Sequence, residues 1–198
     1  MFLKNVENHP SQSPWGEAAA ALYGASMPVP QIFHLFNYKP QWTKHLAAFT
    51  QAVMRGPSPL APGERELIAA FTSRLRNCVF RTGAHAAVAA ELTGNRALVD
   101  AALKDHRNAP LSEPMKAILT LVEKASLASP EISPADIDKT RAAGASEEMI
   151  YDAITVCSLF VYYNTWVDAC GVAAMPDQGY LAVGSRLAKQ GYMPGELG

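Results

Sequence analysis

The sequence contains few cysteines, and that shortage limits the class of protein it can encode. Only three occur among 198 residues, Cys78, Cys157 and Cys170, and they are far apart in the chain. An odd number of widely spaced cysteines does not make a secreted disulfide framework, and reduced thiols are typical of proteins inside the cell. We therefore expect a cytoplasmic protein whose cysteines are free.

An excess of basic charge is missing as well. The chain carries 17 lysines and arginines against 18 aspartates and glutamates, a formal net charge of −1. Binding to a phosphate backbone requires a surplus of basic side chains, so nucleic acid is not expected as a partner. Residues 1–14 lack the apolar core of a secretory signal, and no stretch reaches the length of a membrane span, so no membrane partner is expected either.

Alternation typical of strands is also absent, whereas helical periodicity extends over almost the whole chain. The sequence predicts an all-α fold with a single multi-helix domain at 30–190, after an arm at 1–29 that holds a short helix at 15–25 and before a loose tail at 191–198. The predicted domain helices cover 30–36, 40–54, 62–76, 78–92, 96–106, 147–169 and 180–190, and two more begin after Ser112 and Ser133. In the helix predicted at 40–54, the buried apolar face is expected to consist of Trp42, Leu46, Phe49 and Val53.

Four polar residues near the junction of two predicted helices form the candidate site. Asn77 is a good N-cap, so a helix is expected to begin there with Cys78 in its first turn. Cys78, Arg81 and His85 are spaced i, i+3 and i+7, which puts them on one helix face. Glu66 lies on the preceding helix, where its carboxylate can reach His85.

This arrangement favours a reactive thiol at Cys78. The positive end of a helix dipole and a cation one turn away, Arg81, both stabilise a thiolate, so we expect the pKa of Cys78 to fall below its usual value of about 8.5. Cys78 would then be labelled faster than Cys157 or Cys170 at pH 7. The other interpretation is a buried cysteine that acts as a small hydrophobic residue.

His85 is expected to handle protons beside that thiol. An imidazole two turns along the helix can exchange a proton with a thiol directly or through one water. A carboxylate from Glu66 would orient the ring and stabilise its protonated form. Glu64 competes for this role, but its position in the first turn of a helix favours solvent exposure and an interaction with the helix N-terminus.

Glu66, Cys78, position 81 and His85, separated by eleven, two and three residues, resemble the site of the alkylhydroperoxidase D-like and carboxymuconolactone decarboxylase superfamily, in particular its peroxidase-related members. The likeness includes 60–68, 77–85 and 147–164, and it implies an all-helical domain over about residues 30–190. In two-cysteine members a Cys-x-x-Cys pair cycles between dithiol and disulfide while a glutamate and a histidine relay protons. Cys78 matches the resolving cysteine of that pair, whereas Arg81 stands where the attacking cysteine would be.

Three functions are compatible with this altered motif. Cys78 could act as a single thiol that reduces a hydroperoxide, with Arg81 stabilising negative charge and an external thiol restoring the enzyme. Glu66 and His85 could instead perform acid–base chemistry on a small carboxylate bound by Arg81, as in the decarboxylase branch. The third possibility is an inactive relative whose pocket is structural or binds a small anion.

The resemblance also implies a homo-oligomer, a dimer, trimer or hexamer. Tyr162, Tyr163 and Trp166 are the expected interface residues, because large aromatic side chains are common at such contacts. No metal site is expected, since the remaining histidines have no cysteine or carboxylate at ligand spacing. No cofactor is expected either, and Gly-rich phosphate-binding loops are absent.

Overall fold

The computed structural model describes residues 1–10 and 29–193, and in these ranges the protein is helical and contains no strand. The all-α prediction is therefore confirmed, while the predicted helix at 15–25 lies outside the described residues. The α-helices are α1 (Lys4–Glu7), α2 (Ile32–Tyr38), α3 (Pro40–Arg55), α4 (Pro62–Leu75), α5 (Val79–Thr93), α6 (Arg96–Asp105), α7 (Glu113–Ala128), α8 (Pro134–Ala142), α9 (Glu147–Ala169) and α10 (Asp177–Gln190). A short 3-10 helix, Ser129–Glu131, follows α7.

Local capping explains why the helices begin where the sequence predicts. At the start of α4 the backbone N–H of Ala61 donates to the Glu64 carboxylate over 2.8 Å, so Glu64 serves the helix N-terminus and not His85. At the start of α9 the Ser146 hydroxyl accepts from the backbone N–H of Met149 over 3.1 Å. The predicted bounds of α9 are confirmed at both ends.

The candidate site lies where three long helices pack together. Helix α5 packs against α4 on one side and α10 on the other, and α9 packs against α4 and α7. Helix α10 approaches α5 closely because it has glycine at the crossing: a Cβ on Gly184 would lie 2.9 Å from the Cβ of Ala87 and 3.1 Å from its carbonyl oxygen. Such a distance leaves no room for a side chain, so the approach depends on glycine.

The predicted buried face of α3 is wrong. The buried residues of α3 are Thr43, Ala47, Thr50 and Met54, whereas Trp42 is 44% exposed and Phe49 is 51% exposed. Two threonines can be buried here because each hydroxyl bonds to a backbone carbonyl, Thr43 to Phe36 over 2.7 Å and Thr50 to Leu46 over 2.8 Å. The apolar stripe seen in the sequence is thus only partly buried, and its two aromatic residues face solvent.

Over the described residues, none of the helices is both long enough and apolar enough to cross a membrane.

Candidate active site

The connection between α4 and α5 differs from the prediction at Asn77. Asn77 has a φ of +58° and its backbone N–H donates to Arg74 over 3.1 Å, so it closes α4 and does not cap α5. Asparagine tolerates this left-handed conformation better than most residues. Cys78 occupies the N-cap position, its backbone N–H donates to Ser73 over 3.0 Å, and α5 begins one residue later, at Val79.

Cys78 is not the activated thiol that the sequence predicts. Its side chain is fully buried in a small apolar cluster with Leu35, Phe80, Val167, Cys170 and Val172. Burial raises the pKa of Cys78 to about 12, and a hydrogen bond with Asp168 adds to this rise, while the backbone and charge of Arg81 oppose it only weakly. The expected lowering of the pKa is therefore wrong, because desolvation outweighs the helix terminus and the nearby cation.

The other two cysteines are also free and buried. Cys157 lies in the main core, where burial raises its pKa to about 11. Cys170 shares the small cluster of Cys78, and burial raises its pKa as well. Neither has the electropositive, accessible surroundings that make a thiol reactive.

Glu66 and His85 form the buried pair expected from the sequence. Nδ1 of His85 lies 2.6 Å from Oε2 of Glu66, and both side chains are fully buried. A carboxylate accepts and does not donate, so Nδ1 carries the proton and Nε2 has a free lone pair. Nε2 is buried and has no hydrogen-bond partner among the described residues. The edge-to-face contact with Phe160, at 4.5 Å between ring centres, helps to fix the ring.

The imidazole is neutral at neutral pH, even though Glu66 favours its protonated form as the sequence predicts. Burial and the positive charge of Arg81 together lower the pKa of His85 to about 4, although the charge and hydrogen bond of Glu66 act in the opposite direction. Glu66 behaves in the opposite way: burial alone would raise its pKa, but His85, Arg55 and Tyr192 outweigh burial and lower it. The pair is therefore a carboxylate beside a neutral imidazole whose Nε2 can accept a proton.

Sequence reasoning missed two partners of Glu66. Nη2 of Arg55, at the end of α3, lies 2.7 Å from Oε1 of Glu66. The hydroxyl of Tyr192 donates to the same oxygen over 2.6 Å. Tyr192 belongs to the segment predicted as a loose tail, so the start of that segment is part of the site. No periodic pattern could reveal these contacts, since Tyr192 is 126 residues from Glu66.

Arg81 is a buried cation without an acidic partner. Its side chain is only 6% exposed, and its guanidinium carbon lies 4.4 Å from the ring centre of Tyr163 and 4.9 Å from that of Phe160. Within the described chain no carboxylate forms an ion pair with it, and its Nε and Nη2 have no hydrogen-bond partner. The aromatic faces offset part of the cost of burying this charge, but the donors still lack acceptors.

A cavity of about 70 Å³ brings these groups together. It is lined by Pro30, Ile32, Phe33, Phe36, Phe80, Arg81, Ala84, His85, Tyr163, Val183, Arg186, Leu187 and Tyr192. The wall is mostly apolar, and its polar residues are Arg81, Arg186, His85, Tyr163 and Tyr192. Cys78 does not line it. Of the predicted site residues, the fold thus places Arg81 and His85 on the wall of the cavity, holds Glu66 against Nδ1 of His85, and leaves the thiol outside.

The expected interface aromatics divide between the cavity and the surface. Tyr163 is 2% exposed, lines the cavity and bonds to Thr50 at 2.7 Å, so it cannot contact a second subunit. Tyr162 is 43% exposed, and Trp166 is half-buried beside Trp42, with 5.8 Å between their ring centres.

In the described ranges, no three histidine, cysteine, aspartate or glutamate side chains are grouped so that they could hold a metal ion. The polar residues of the cavity are a histidine, two arginines and two tyrosines, side chains that are suited to protons and anions.

Comparison with known proteins agrees with this fold. Residues 40–124 match the Carboxymuconolactone decarboxylase family. The crystal structure of an uncharacterized peroxidase-related protein from Silicibacter sp. TM1040 has a TM-score of 0.74 and 26% sequence identity, and the similarity covers 88% of this chain and 92% of that one. No curated protein matches the chain significantly.

A second crystal structure has the same fold. It is the alkylhydroperoxidase AhpD core of an uncharacterized peroxidase-related protein from Ralstonia eutropha JMP134, with a TM-score of 0.75, 21% identity and coverage of 90% of this chain and 96% of that one. Over residues 40–124 the chain is thus similar to the Carboxymuconolactone decarboxylase family, and its all-α fold is that of the two peroxidase-related AhpD-like proteins.

Proposed function

We propose that the protein is an acid–base enzyme that binds a small carboxylate in the cavity and uses His85 to move a proton. One observation carries this proposal: His85 and Arg81 line the same cavity and have buried nitrogens without a hydrogen-bond partner in the described chain, whereas Cys78 does not line it. A neutral imidazole held by a carboxylate is the usual form of a general base.

Arg81 supplies the binding energy for the carboxylate. A buried guanidinium without an acceptor is costly, and a bound carboxylate would satisfy its free N–H groups with charge-assisted hydrogen bonds. Arg186 adds a second cation from α10, and its Nε is also buried without a partner. The apolar remainder of the wall, including Phe33, Phe36 and Val183, would enclose the hydrocarbon part of the ligand. The volume of about 70 Å³ restricts the ligand to a small molecule.

The proton would move between the substrate and Nε2 of His85. Nδ1 stays hydrogen-bonded to Glu66, which remains ionised and stabilises the imidazolium that forms. Binding of an anion at Arg81 would offset the positive charge that depresses the pKa of His85, so the imidazole becomes more basic when substrate is present. Proton transfer is thereby coupled to occupancy of the cavity.

A panel of small lactone-acids and keto-acids tests the proposal. We expect turnover by the wild type, loss of kcat by about 100-fold or more in His85→Gln, and little change in Cys78→Ser, the matched variant outside the cavity. Turnover that survives His85→Gln, or that disappears in Cys78→Ser with the fold intact, would overturn the assignment. Binding of acetate without turnover of any acid would instead favour an inactive, anion-binding relative.

Single-thiol reduction of a hydroperoxide is the second candidate, because both structural neighbours are named peroxidase-related. Cys78 would attack the peroxide, form a sulfenic acid and release water or an alcohol, and an external thiol would restore it. The burial of Cys78 and its raised pKa work against this chemistry. Hydroperoxide consumption with dithiothreitol that is lost in Cys78→Ser would support it.

We also propose that the protein is a homo-oligomer. Trp42, Phe49 and Tyr162 are between 43% and 51% exposed on α3 and α9, the two helices whose aromatic residues meet at the surface. Large exposed aromatic side chains in one region favour association. Sedimentation equilibrium of the wild type and of Trp42→Ser, expected to dissociate more readily, tests the proposal.

A further inference from the structure

The chain beyond α10 turns back to bring Tyr192 to the Glu66–His85 pair. Gly191 has a φ of +69°, and a Cβ at this position would lie 2.4 Å from Oε1 of Gln51. The same oxygen accepts a hydrogen bond from the backbone N–H of Tyr192 over 2.7 Å. The turn is therefore held by α3 and requires glycine, because a side chain would collide with the residue that anchors the next one.

The two oxygens of the Glu66 carboxylate have different partners, and Tyr192 is one of those on Oε1. Oε2 of Glu66 accepts from His85, while Oε1 accepts from the Tyr192 hydroxyl over 2.6 Å and contacts Arg55 at 2.7 Å. The Tyr192 ring is also parallel to the His85 ring, with 9° between the planes and 6.3 Å between the centres. Every donor on Oε1 draws negative charge away from the oxygen that holds Nδ1 of the imidazole.

We propose that Tyr192 is a positioning residue for His85: its hydroxyl fixes Glu66 and limits how strongly the carboxylate attracts the Nδ1 proton, which sets the basicity of Nε2. The inference rests on the proposed function only in taking His85 as the base. When Oε1 accepts fewer hydrogen bonds, more negative charge remains on Oε2. The imidazolium form of His85 then becomes more stable. Tyr192 thus keeps the base weak.

The other charged and titratable groups around His85 are the same in the wild type and in Tyr192→Phe. They are Glu66 from α4, Arg55 from α3, Arg81 from α5 itself, Tyr163 from α9 and Arg186 from α10. Replacing Tyr192 by phenylalanine removes one hydroxyl and changes no charge near neutral pH, since burial raises the pKa of Tyr192 well above its usual value. The stacked ring remains, so the measurement isolates the hydroxyl, which donates to Glu66 over 2.6 Å and lies 3.4 Å from Nδ1 of His85.

The test is the pKa of His85 in Tyr192→Phe, measured without substrate by NMR of the imidazole nitrogens. The His85 signal is identified by its loss in His85→Gln. We expect the pKa to rise by about 1 from the wild-type value, since hydrogen bonds to charged groups contribute energies of this order. Tyr151→Phe is the matched control, because Tyr151 is 70% exposed and outside the cavity, and it should leave the pKa unchanged. An unchanged or lower pKa in a folded Tyr192→Phe protein would overturn the inference.

A second substitution keeps the test available if Tyr192→Phe does not fold. Incorporation of 3-fluorotyrosine at position 192 retains the hydroxyl and makes it a stronger donor, so the pKa of His85 should fall, the opposite direction from Tyr192→Phe. A rise or no change would again contradict the role of Tyr192. Neither measurement requires turnover. The positioning role of Tyr192 can therefore be disproved while the acid–base function is retained, and the acid–base function can be disproved while the role of Tyr192 is retained.

Discussion

Arg81 precedes His85 by one helical turn on α5, and both side chains end at the wall of one cavity. The arginine has no acidic partner within the described chain, and the histidine is neutral largely because it is buried beside that charge. The protein has therefore placed a buried cation one turn from a neutral buried imidazole. The cavity is suited to an anion, and the anion would control the base.

Replacing Arg81 should make His85 more basic. In Arg81→Gln we expect the pKa of His85 to rise from about 4 toward its ordinary value of 6.5, because a positive charge beside a buried imidazole disfavours protonation. NMR titration of His85 measures this. Acetate should raise the pKa in the wild type and not in Arg81→Gln. Arg96→Gln is the control, since the Arg96 side chain is 59% exposed; an equal acetate effect in all three proteins would contradict anion binding at Arg81.

Stability should fall on mild acidification because of His85. Its pKa is about 4 in the folded protein and about 6.5 when unfolded, so the unfolded chain binds more protons between these values. Stability is then fully present above pH 6.5 and is lost as pH falls toward 4, by about 3 kcal/mol in total. Urea unfolding at a series of pH values measures the slope. His85→Gln should be less stable at neutral pH, and its free energy of unfolding should depend much less on pH. If the pH dependence is the same as in the wild type, groups other than His85 cause it.

Cys78 should react slowly with thiol reagents while the protein is folded. The side chain is fully buried, and burial raises its pKa to about 12, so little thiolate exists at pH 7. Labelling with iodoacetamide, read by mass spectrometry of the cysteine peptides, should be no faster for Cys78 than for Cys170, which is 8% exposed. Denatured protein provides the reference rate for each peptide. Preferential labelling of Cys78 in the folded protein would restore the thiol mechanism.

The close approach of α10 to α5 should make Gly184 intolerant of substitution. Gly to Ala within a helix usually stabilises by about 1 kcal/mol, but a Cβ on Gly184 would lie 3.0 Å from the backbone carbonyl carbon of Ala87, which cannot move independently of its helix. We expect Gly184→Ala to destabilise by about 1–3 kcal/mol, the usual range for overpacking. Thermal unfolding measures this effect, and Leu181→Ala on the same helix is the control. The Leu181 side chain is 64% exposed, so its removal should change stability little. A gain in stability for Gly184→Ala would show that the helices can separate.

The helices were predictable because their signals are local. Ser146, Pro62 and the capping carboxylates each lie within a few residues of the helix they begin, so the bounds of α4 and α9 follow from short-range hydrogen bonds. The face of α3 was not predictable in this way. Buried Thr43 and Thr50 look polar in the sequence, and only their hydrogen bonds to carbonyls within the fold make burial acceptable.

The candidate site shows the same difference between local signals and contacts that only the fold creates. The pairing of Glu66 with His85 could be inferred, because adjacent helices joined by a short connection bring such positions together. The state of Cys78 could not be inferred, because the helix terminus and Arg81 are visible in the sequence, whereas the apolar residues that bury the thiol come from α2, α9 and the chain after it. Desolvation depends on every neighbour at once, and it outweighed the two effects that the motif showed.

The sequence by itself determined that the chain is all-helical, where most of its helices begin and end, and that Glu66, Arg81 and His85 belong to one region. Helical periodicity, capping and motif spacing act over a few residues, so they can be read without the fold. Only the tertiary structure decided that Cys78 is outside the cavity, that Arg81 has no counterion, and that Arg55, Arg186 and Tyr192 complete the site. Those outcomes depend on burial and on contacts between distant segments, because the charge state of a group is set by everything packed around it.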